Sequence, residues 1–290
     1  MEYVVTLVAA RAATTLDPAT LDRVREAVDG APPVWLSPAE AADIACPAPA
    51  DLARVRAAIG ASPVDAFALP RAGRRARVLV ADMDSTIVEG ETLDELADFA
   101  GLKDRIAAIT ARAMNGELDF KTALRERVAM LRGLPLGALE ETWRRTRLTP
   151  GARTLVATMR AHGAHTALVS GGFTFFTTRV AAACGFETQR ANTLLDDGTR
   201  LTGAVGEPIL DRDAKLQALR EEAAAAGVPL AATMAIGDGA NDLPMLKAAG
   251  LGLAFRAKPV VAAETAFRID HADLRAALFV QGYEAREFAE

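Results

Sequence analysis

Cysteine is nearly absent from this sequence, which holds only Cys46 and Cys184 in 290 residues. Two thiols so far apart exclude a disulfide framework and a thiolate metal site, so the expected setting is a reducing cytoplasm with both cysteines packed inside. Histidine is scarce too: His162, His165 and His271 share no metal-ligand spacing and read as structural or surface residues. No run of about 18 apolar residues is present to cross a membrane. Met1-Glu2-Tyr3 leads into a short apolar run that lacks the basic start and long apolar centre of an export signal. A basic excess is also missing. Lys and Arg number 33 against 38 Asp and Glu, a net charge of −5, the wrong sign for a nucleic-acid footprint. What remains is a chain that is 51% hydrophobic, long enough for one large domain and a smaller one, with small molecules as the expected partners.

The pattern falls into two parts. Residues 3–9, 33–37, 42–46 and 64–69 predict strands and 18–29 and 51–59 predict helices, a β-α-β-β-α-β order for a small α+β front domain over 1–72. Pro70-Arg71-Ala72-Gly73-Arg74-Arg75-Ala76-Arg77 follows as a connector, its basic cluster read as a solvated hinge. Over 73–290, apolar strands at 78–81, 165–169, 232–236 and 251–255 alternate with helices. That is the rhythm of a doubly wound, mostly parallel α/β sheet whose ligand crevice opens beyond the carboxyl ends of the strands. A stretch without strand pattern interrupts it after the first strand and predicts a helical cap over 89–148, between core segments 76–88 and 149–290. Inside the cap, Thr92-Leu93-Asp94-Glu95 fits a capping box, and a helix from Phe120 to Leu131 ends at Gly133. Leu194-Leu195-Asp196-Asp197-Gly198-Thr199 carries the Asp-Gly signal of a β-hairpin, and Trp35 and Trp143 read as packing residues.

The charged motifs sit at the predicted strand ends. Asp82-Met83-Asp84-Ser85-Thr86 stands directly after Val78-Leu79-Val80-Ala81, which delivers two carboxylates to one mouth. Asp82 closes the buried strand and is the candidate nucleophile; Asp84 is the candidate acid. An aspartate ionises near about 3.9, so Asp84 needs its pKa raised by neighbouring carboxylates or bound phosphate. Ser170-Gly171-Gly172 follows a second strand and is expected to open a helix, where backbone N–H groups and a hydroxyl can surround phosphate oxygens. Lys215 lies near the start of a helix that Asp211 or Asp213 would cap. A surface lysine is the ordinary reading, but a cation set against the helix dipole favours a task such as holding phosphate against Asp82. Gly237-Asp238-Gly239-Ala240-Asn241-Asp242 adds carboxylates that, joined to the first loop, make a hard oxygen cage suited to Mg²⁺. A dinucleotide turn at Gly237-Asp238-Gly239 fails, because the glycine spacing stops and the acid would repel a pyrophosphate.

These motifs, in this order, resemble the haloacid dehalogenase (HAD) superfamily. More narrowly, Asp82-Met83-Asp84-Ser85-Thr86, Gly116-Glu117-Leu118-Asp119-Phe120, Ser170-Gly171-Gly172-Phe173-Thr174 and Gly237-Asp238-Gly239-Ala240-Asn241-Asp242 are similar to the phosphoserine phosphatase family, over 78–275. The resemblance implies a HAD-like fold and hydrolysis through an aspartyl-phosphate on Asp82, with Asp84 as acid and then base. It implies Mg²⁺ held by Asp82, the Asp84 backbone carbonyl and Asp238. Ser170, Gly171, Gly172 and Lys215 would take the phosphate, and Asn241 or Asp242 would support the metal and the lysine. On the cap it assigns Glu91 to a substrate ammonium and Arg127 to its carboxylate, with Met114 and Phe120 as apolar walls. Taken alone, Glu91 reads as an acid favoured before a helix and Arg127 as a solvated partner of Glu126. Yet Arg127 follows Phe120 by seven positions, which returns it to the same helix face. The expected substrate is O-phosphoserine, in serine biosynthesis. The alternatives are a phosphatase or phosphotransferase acting on another small phospho-metabolite, and a receiver-like phosphoacceptor or ligand-sensing module. The front domain resembles ACT-type modules of ferredoxin-like order, which leaves a homodimer and an amino-acid effector open.

Overall fold

The computed structural model describes residues 1–114 and 118–290. The front part runs β1 (Tyr3–Ala9), α1 (Pro18–Ala27), β2 (Val34–Ser37), β3 (Ala41–Cys46), α2 (Leu52–Ile59) and β4 (Val64–Pro70). Asp17 and Asp51 start the helices by accepting the backbone N–H groups of Thr20 and Ala53. The strands form an antiparallel sheet in the order β2-β3-β1-β4. Its pleat divides β1 between two cores. Val5, Leu7 and Ala9 pack with Leu21, Val24, Val55 and Ile59 of the helices, whereas Val4 and Val8 join the core of the larger part.

The larger part opens with β5 (Val78–Ala81), followed by the cap helices α3 (Thr92–Phe99), α4 (Lys103–Met114), α5 (Phe120–Ala129) and α6 (Gly137–Arg145). Then come α7 (Ala152–Ala161), β6 (His165–Phe173), α8 (Thr174–Cys184), β7 (Thr188–Asn192), β8 (Leu194–Asp196), β9 (Leu201–Val205) and α9 (Arg212–Ala225). The chain finishes with β10 (Thr233–Gly237), α10 (Leu243–Ala248), β11 (Leu251–Phe255), α11 (Pro259–Glu264), β12 (Phe267–Ile269) and α12 (Ala276–Val280). The main sheet has the order β12-β11-β10-β5-β6-β7 and every pair in it is parallel. Both faces are covered, as a parallel sheet requires. Val78 and Val80 meet Leu219, Met245 and Val261 on one face, and Leu79 and Ala81 meet Leu155, Phe176 and Leu278 on the other. The cap joins the core through two crossing segments that pair at Val88 and Leu148. β8 and β9 form the hairpin expected at Asp197-Gly198.

Several local expectations are corrected. The connector is pinned and not a solvated hinge: Arg74 is half-buried in an ion pair with Asp43, and Arg75 lies 4.0 Å over the Tyr283 ring and pairs with Glu287. Glu91, not Thr92, occupies the cap position of α3, and no side-chain capping bond forms there, so the capping box is absent. The Gly171-Gly172 pair continues β6 in extended form, and α8 begins only at Thr174, because Asn192 of β7 takes the Gly171 carbonyl and Phe173 pairs with Asn192. Trp35 is 38% exposed on the edge strand β2 and is not a core residue. No helix among the described residues is long and apolar enough to cross a membrane.

Candidate active site

The site forms where β5 and β10, hydrogen-bonded neighbours at the centre of the sheet, release their chains. Asp82 extends β5 by one residue, its N–H donating to the Ile236 carbonyl, and its side chain then accepts from the Met83 N–H at 2.8 Å. The following residues Met83–Ile87 make a wide turn in which Ser85 takes a left-handed backbone, φ 55°. That turn places Asp84 at a different address from Asp82. Its Oδ1 accepts the Thr92 N–H at 2.8 Å, the first donor of α3 and one without an intrahelical partner, and its Oδ2 lies 3.4 Å from the Ser170 hydroxyl.

Lys215 is 2% exposed, and Asp211, rather than Asp213, caps its helix. Its ammonium stands 2.7 Å from Asp82 and 2.5 Å from Asp242. The second oxygen of Asp242 accepts the N–H groups of Asp238 and Gly239, so this fully buried carboxylate folds the loop after β10 and anchors the lysine together. Asn241 is half-buried, its Oδ1 lying against Gly239. Asp82, Asp238 and Asp242 each bring a carboxylate oxygen within 4.8 Å of the others. Among the described residues, the ammonium groups of Lys215 and, at 3.6 Å from Asp238, Lys258 face these three carboxylates. Negative charge is left over, and the all-oxygen donor set fits a divalent cation.

Burial dominates the electrostatics. It pushes Asp84 to about 6, with Glu91 adding to the rise, so burial rather than a neighbouring carboxylate is the main cause. Asp238 is also raised to about 6 by burial, an effect Lys258 opposes and Asp242 reinforces. Asp82 lies well above the ordinary range through burial and the field of Asp242, with Lys215 acting against both. For Lys215, burial pulls downward but Asp242 and Asp82 outweigh it, so it is held above an ordinary lysine and stays charged.

The end of β6 closes the site at Gly172, whose N–H donates to the Ser170 hydroxyl at 2.8 Å. A Cβ on Gly172 would sit 2.8 Å from Asp84 Oδ2, so only glycine lets the strand end approach the acid. The cap side is built from α3 and α5. Phe120 reaches the position a Gly171 side chain would take, 3.4 Å away, and so roofs the strand end. Arg127 is half-buried, bonded to the Ala123 carbonyl, and lies in the fields of Asp94 and Glu91. Glu91 is exposed at the mouth and accepts the Ser85 hydroxyl at 2.8 Å. Met114 ends α4, and its side chain lies outside the described residues, as do Gly116 and Glu117 of the matching motif. Sequence reasoning missed Asp94 and Lys258. The signal for Lys258 was its place three residues beyond Phe255, at the carboxyl end of a strand beside Asp238.

The family model of the haloacid dehalogenase-like hydrolases matches residues 79–247. The chain belongs to that family. This HAD-family hydrolase is 50% identical over 202 residues to the phosphoserine phosphatase of Streptomyces coelicolor, a stretch covering 69% of this chain but 49% of that one. The chain therefore spans about half the length of that relative. Identity to the phosphoserine phosphatase of Streptococcus thermophilus is 45% over 197 residues, 68% of this chain and 92% of the relative. Among solved structures, a HAD family hydrolase of Salmonella enterica subsp. enterica serovar Typhi superposes with a TM-score of 0.85 at 31% identity, over 96% of this chain and 98% of that one.

Proposed function

We propose that this HAD-family hydrolase is a phosphoserine phosphatase that releases serine and phosphate from O-phosphoserine in the cytoplasm, with Mg²⁺ as its cation. One observation carries the reading: the Asp82–Lys215–Asp242 contact lies beneath a cap whose helices offer both an anion, Glu91, and a cation, Arg127. A zwitterionic amino acid esterified to phosphate needs both poles and a phosphate site between them. The relatives named above supply the substrate.

In this mechanism Asp82 attacks phosphorus while Asp84, whose pKa burial raises to about 6 and so closer to neutrality, gives its proton to the departing serine oxygen. Asp84 then takes a proton from the water that hydrolyses the aspartyl-phosphate. Lys215 neutralises phosphate oxygens and holds the Asp82 carboxylate in line, while Ser170 and Gly172 offer a hydroxyl and an N–H at the strand end. Asp82, the Asp84 carbonyl and Asp238 would hold the cation, with Asp242 and Asn241 behind them; bound there, it would shield phosphate charge. Glu91 and Arg127 orient the serine, and Phe120 excludes water from above. The chain is read as dividing at residue 72, with the cap over 89–148. An amino-acid effector on the front domain and a homodimer belong to the same proposal, and calorimetry and light scattering on the full chain with L-serine test them.

The deciding experiment compares O-phosphoserine, phosphothreonine, phosphohomoserine and sugar phosphates with and without Mg²⁺. O-Phosphoserine is expected to lead by at least about tenfold in kcat/KM, with no turnover after chelation. A lead for sugar phosphates would refute the cap argument, and a long-lived phospho-enzyme without phosphate release would support the phosphoacceptor alternative.

A further inference from the structure

Ser85 and Thr86 are the hydroxyl residues of the catalytic turn that the mechanism above does not use, and of the two Ser85 has the costly backbone. With φ at 55° it occupies the left-handed region, where glycine or asparagine is the usual choice. Its N–H closes the turn on the Gly90 carbonyl at 2.8 Å, a bond any residue would make. What serine adds is the hydroxyl, which donates to Glu91 Oε1 at 2.8 Å.

Glu91 occupies the cap position of α3, where a short acceptor side chain ordinarily takes the free N–H groups of the first turn. It makes no such bond. The Thr92 N–H is taken by Asp84, and the Glu91 carboxylate is turned back to Ser85. Adjacent residues of one turn thus hold adjacent residues at the start of the cap. Asp84 fixes the helix end and Ser85 fixes the carboxylate. An exposed glutamate otherwise samples several rotamers, and only some of them aim at a ligand on Asp82.

We propose that Ser85 is a positioning residue for recognition of the substrate's amino group: its hydroxyl holds Glu91 in the orientation that receives an ammonium. This rests on the reading of Glu91 given above, and it assigns the preference for an amino-bearing phosphoester partly to the catalytic turn rather than to the cap alone. Glu91 retains its second carboxylate oxygen for the ligand while the first stays with Ser85, so the two contacts are compatible.

The test uses Ser85→Ala and Ser85→Gly, the glycine variant guarding against loss of the fold because the positive φ suits it. kcat and KM are measured for O-phosphoserine and for its des-amino analogue, the phosphate ester of 3-hydroxypropanoate. In both variants the ratio of kcat/KM between the two esters is expected to fall about fivefold, with the loss in KM for O-phosphoserine rather than in kcat. In a Glu91→Gln background the same Ser85 substitutions are expected to leave the ratio where Glu91→Gln alone puts it. Equal losses on both esters, an unchanged ratio, or additive effects in the double variant would each overturn the inference. A wild-type enzyme indifferent to the amino group would instead sink the phosphoserine reading itself, and the inference with it.

Discussion

Asp82 and Asp84 are separated by one residue, yet they stand in different surroundings, as the different tasks proposed for them require. Burial and the field of Asp242 raise Asp82 well above the ordinary range, a rise that a charged lysine at 2.7 Å opposes, whereas Asp84, raised to about 6, accepts the Thr92 N–H and the Ser170 hydroxyl beside the acidic Glu91. A pair of carboxylates in unlike environments is the arrangement that separates a nucleophile from an acid. Asp82→Asn keeps the size of the side chain and removes its nucleophilic oxygen. Phosphate release is expected to fall on the order of 10⁴-fold or more while the far-ultraviolet circular dichroism stays unchanged. Gly172→Ala tests the acid from the other side. Its Cβ would stand 2.8 Å from Asp84 Oδ2 and 3.0 Å from the Ser170 hydroxyl, and both polar atoms must move to admit it. A displacement of that kind is expected to lower kcat about 10²-fold with a small change in melting temperature, read by steady-state kinetics and calorimetry.

At the scale of elements, the cap is held by more than its two crossing segments. The β8–β9 hairpin docks on the loop after α5, with Gly133 N–H on the Leu201 carbonyl, Leu201 N–H on Leu134 and Leu136 N–H on Thr199. Arg125 pairs with Glu207 at 2.6 Å and Lys121 with Asp211 at 3.2 Å, so α5, which carries Phe120 and Arg127, is fixed from the core side. Gly203 allows the approach: its φ is +77°, and a Cβ would stand 2.8 Å from Arg132 Cβ. Gly203→Val is therefore expected to cost about 1–3 kcal/mol and to raise KM more than it lowers kcat, because it displaces the helix proposed to bind substrate and not Asp82. Equal KM values for variant and wild type would show that the hairpin does not position α5. Asp197-Gly198 announced this hairpin in the sequence; nothing local announced what it packs against. The same division runs through the fold. Strands with continuous apolar runs, β5, β6, β10 and β11, were legible because both faces of the sheet are buried. β7 was not, since Thr188-Gln189-Arg190-Ala191-Asn192 is a half-exposed edge, and β12 is only three residues long. Asp82, Lys215 and Asp238 were legible because each stands beside a strand or helix end. The capping box failed for a tertiary reason, as Asp84 reached the N–H at Thr92 before any local side chain.

For the whole molecule, the question is whether the front part swings or is welded, and side chains distant in the chain decide it. Val4, Val8, Leu36, Phe67 and Leu69 belong to one continuous apolar cluster with Leu79, Ile269 and Leu278, so separating the two parts would expose that face to water. Polar contacts then fix the register. Glu40, 6% exposed, accepts from Ser37 and pairs with Arg275 at 2.7 Å. Asp65, 4% exposed on β4, receives the backbone N–H groups of Asp270, His271 and Ala272 at 2.8–3.2 Å, ending the loop after β12 with a side chain from the other part of the molecule. Of these donors Asp270 and His271 are exposed and can turn to water, whereas Ala272 is buried, so removing the carboxylate leaves its N–H unsatisfied at about 1–3 kcal/mol. Asp65→Ala is therefore expected to destabilise the chain by about 1–3 kcal/mol, a fall in melting temperature of roughly 2–9 °C. The wild type should unfold in one calorimetric transition, because the shared core couples the two parts. In Asp65→Ala the endotherm should broaden or split, and limited proteolysis should begin to cut within 70–77, a segment that Arg74 and Arg75 otherwise pin. Two resolved transitions already present in the wild type would mean that the sheet face and the catalytic core fold independently and that the contacts of Asp65 do not couple them.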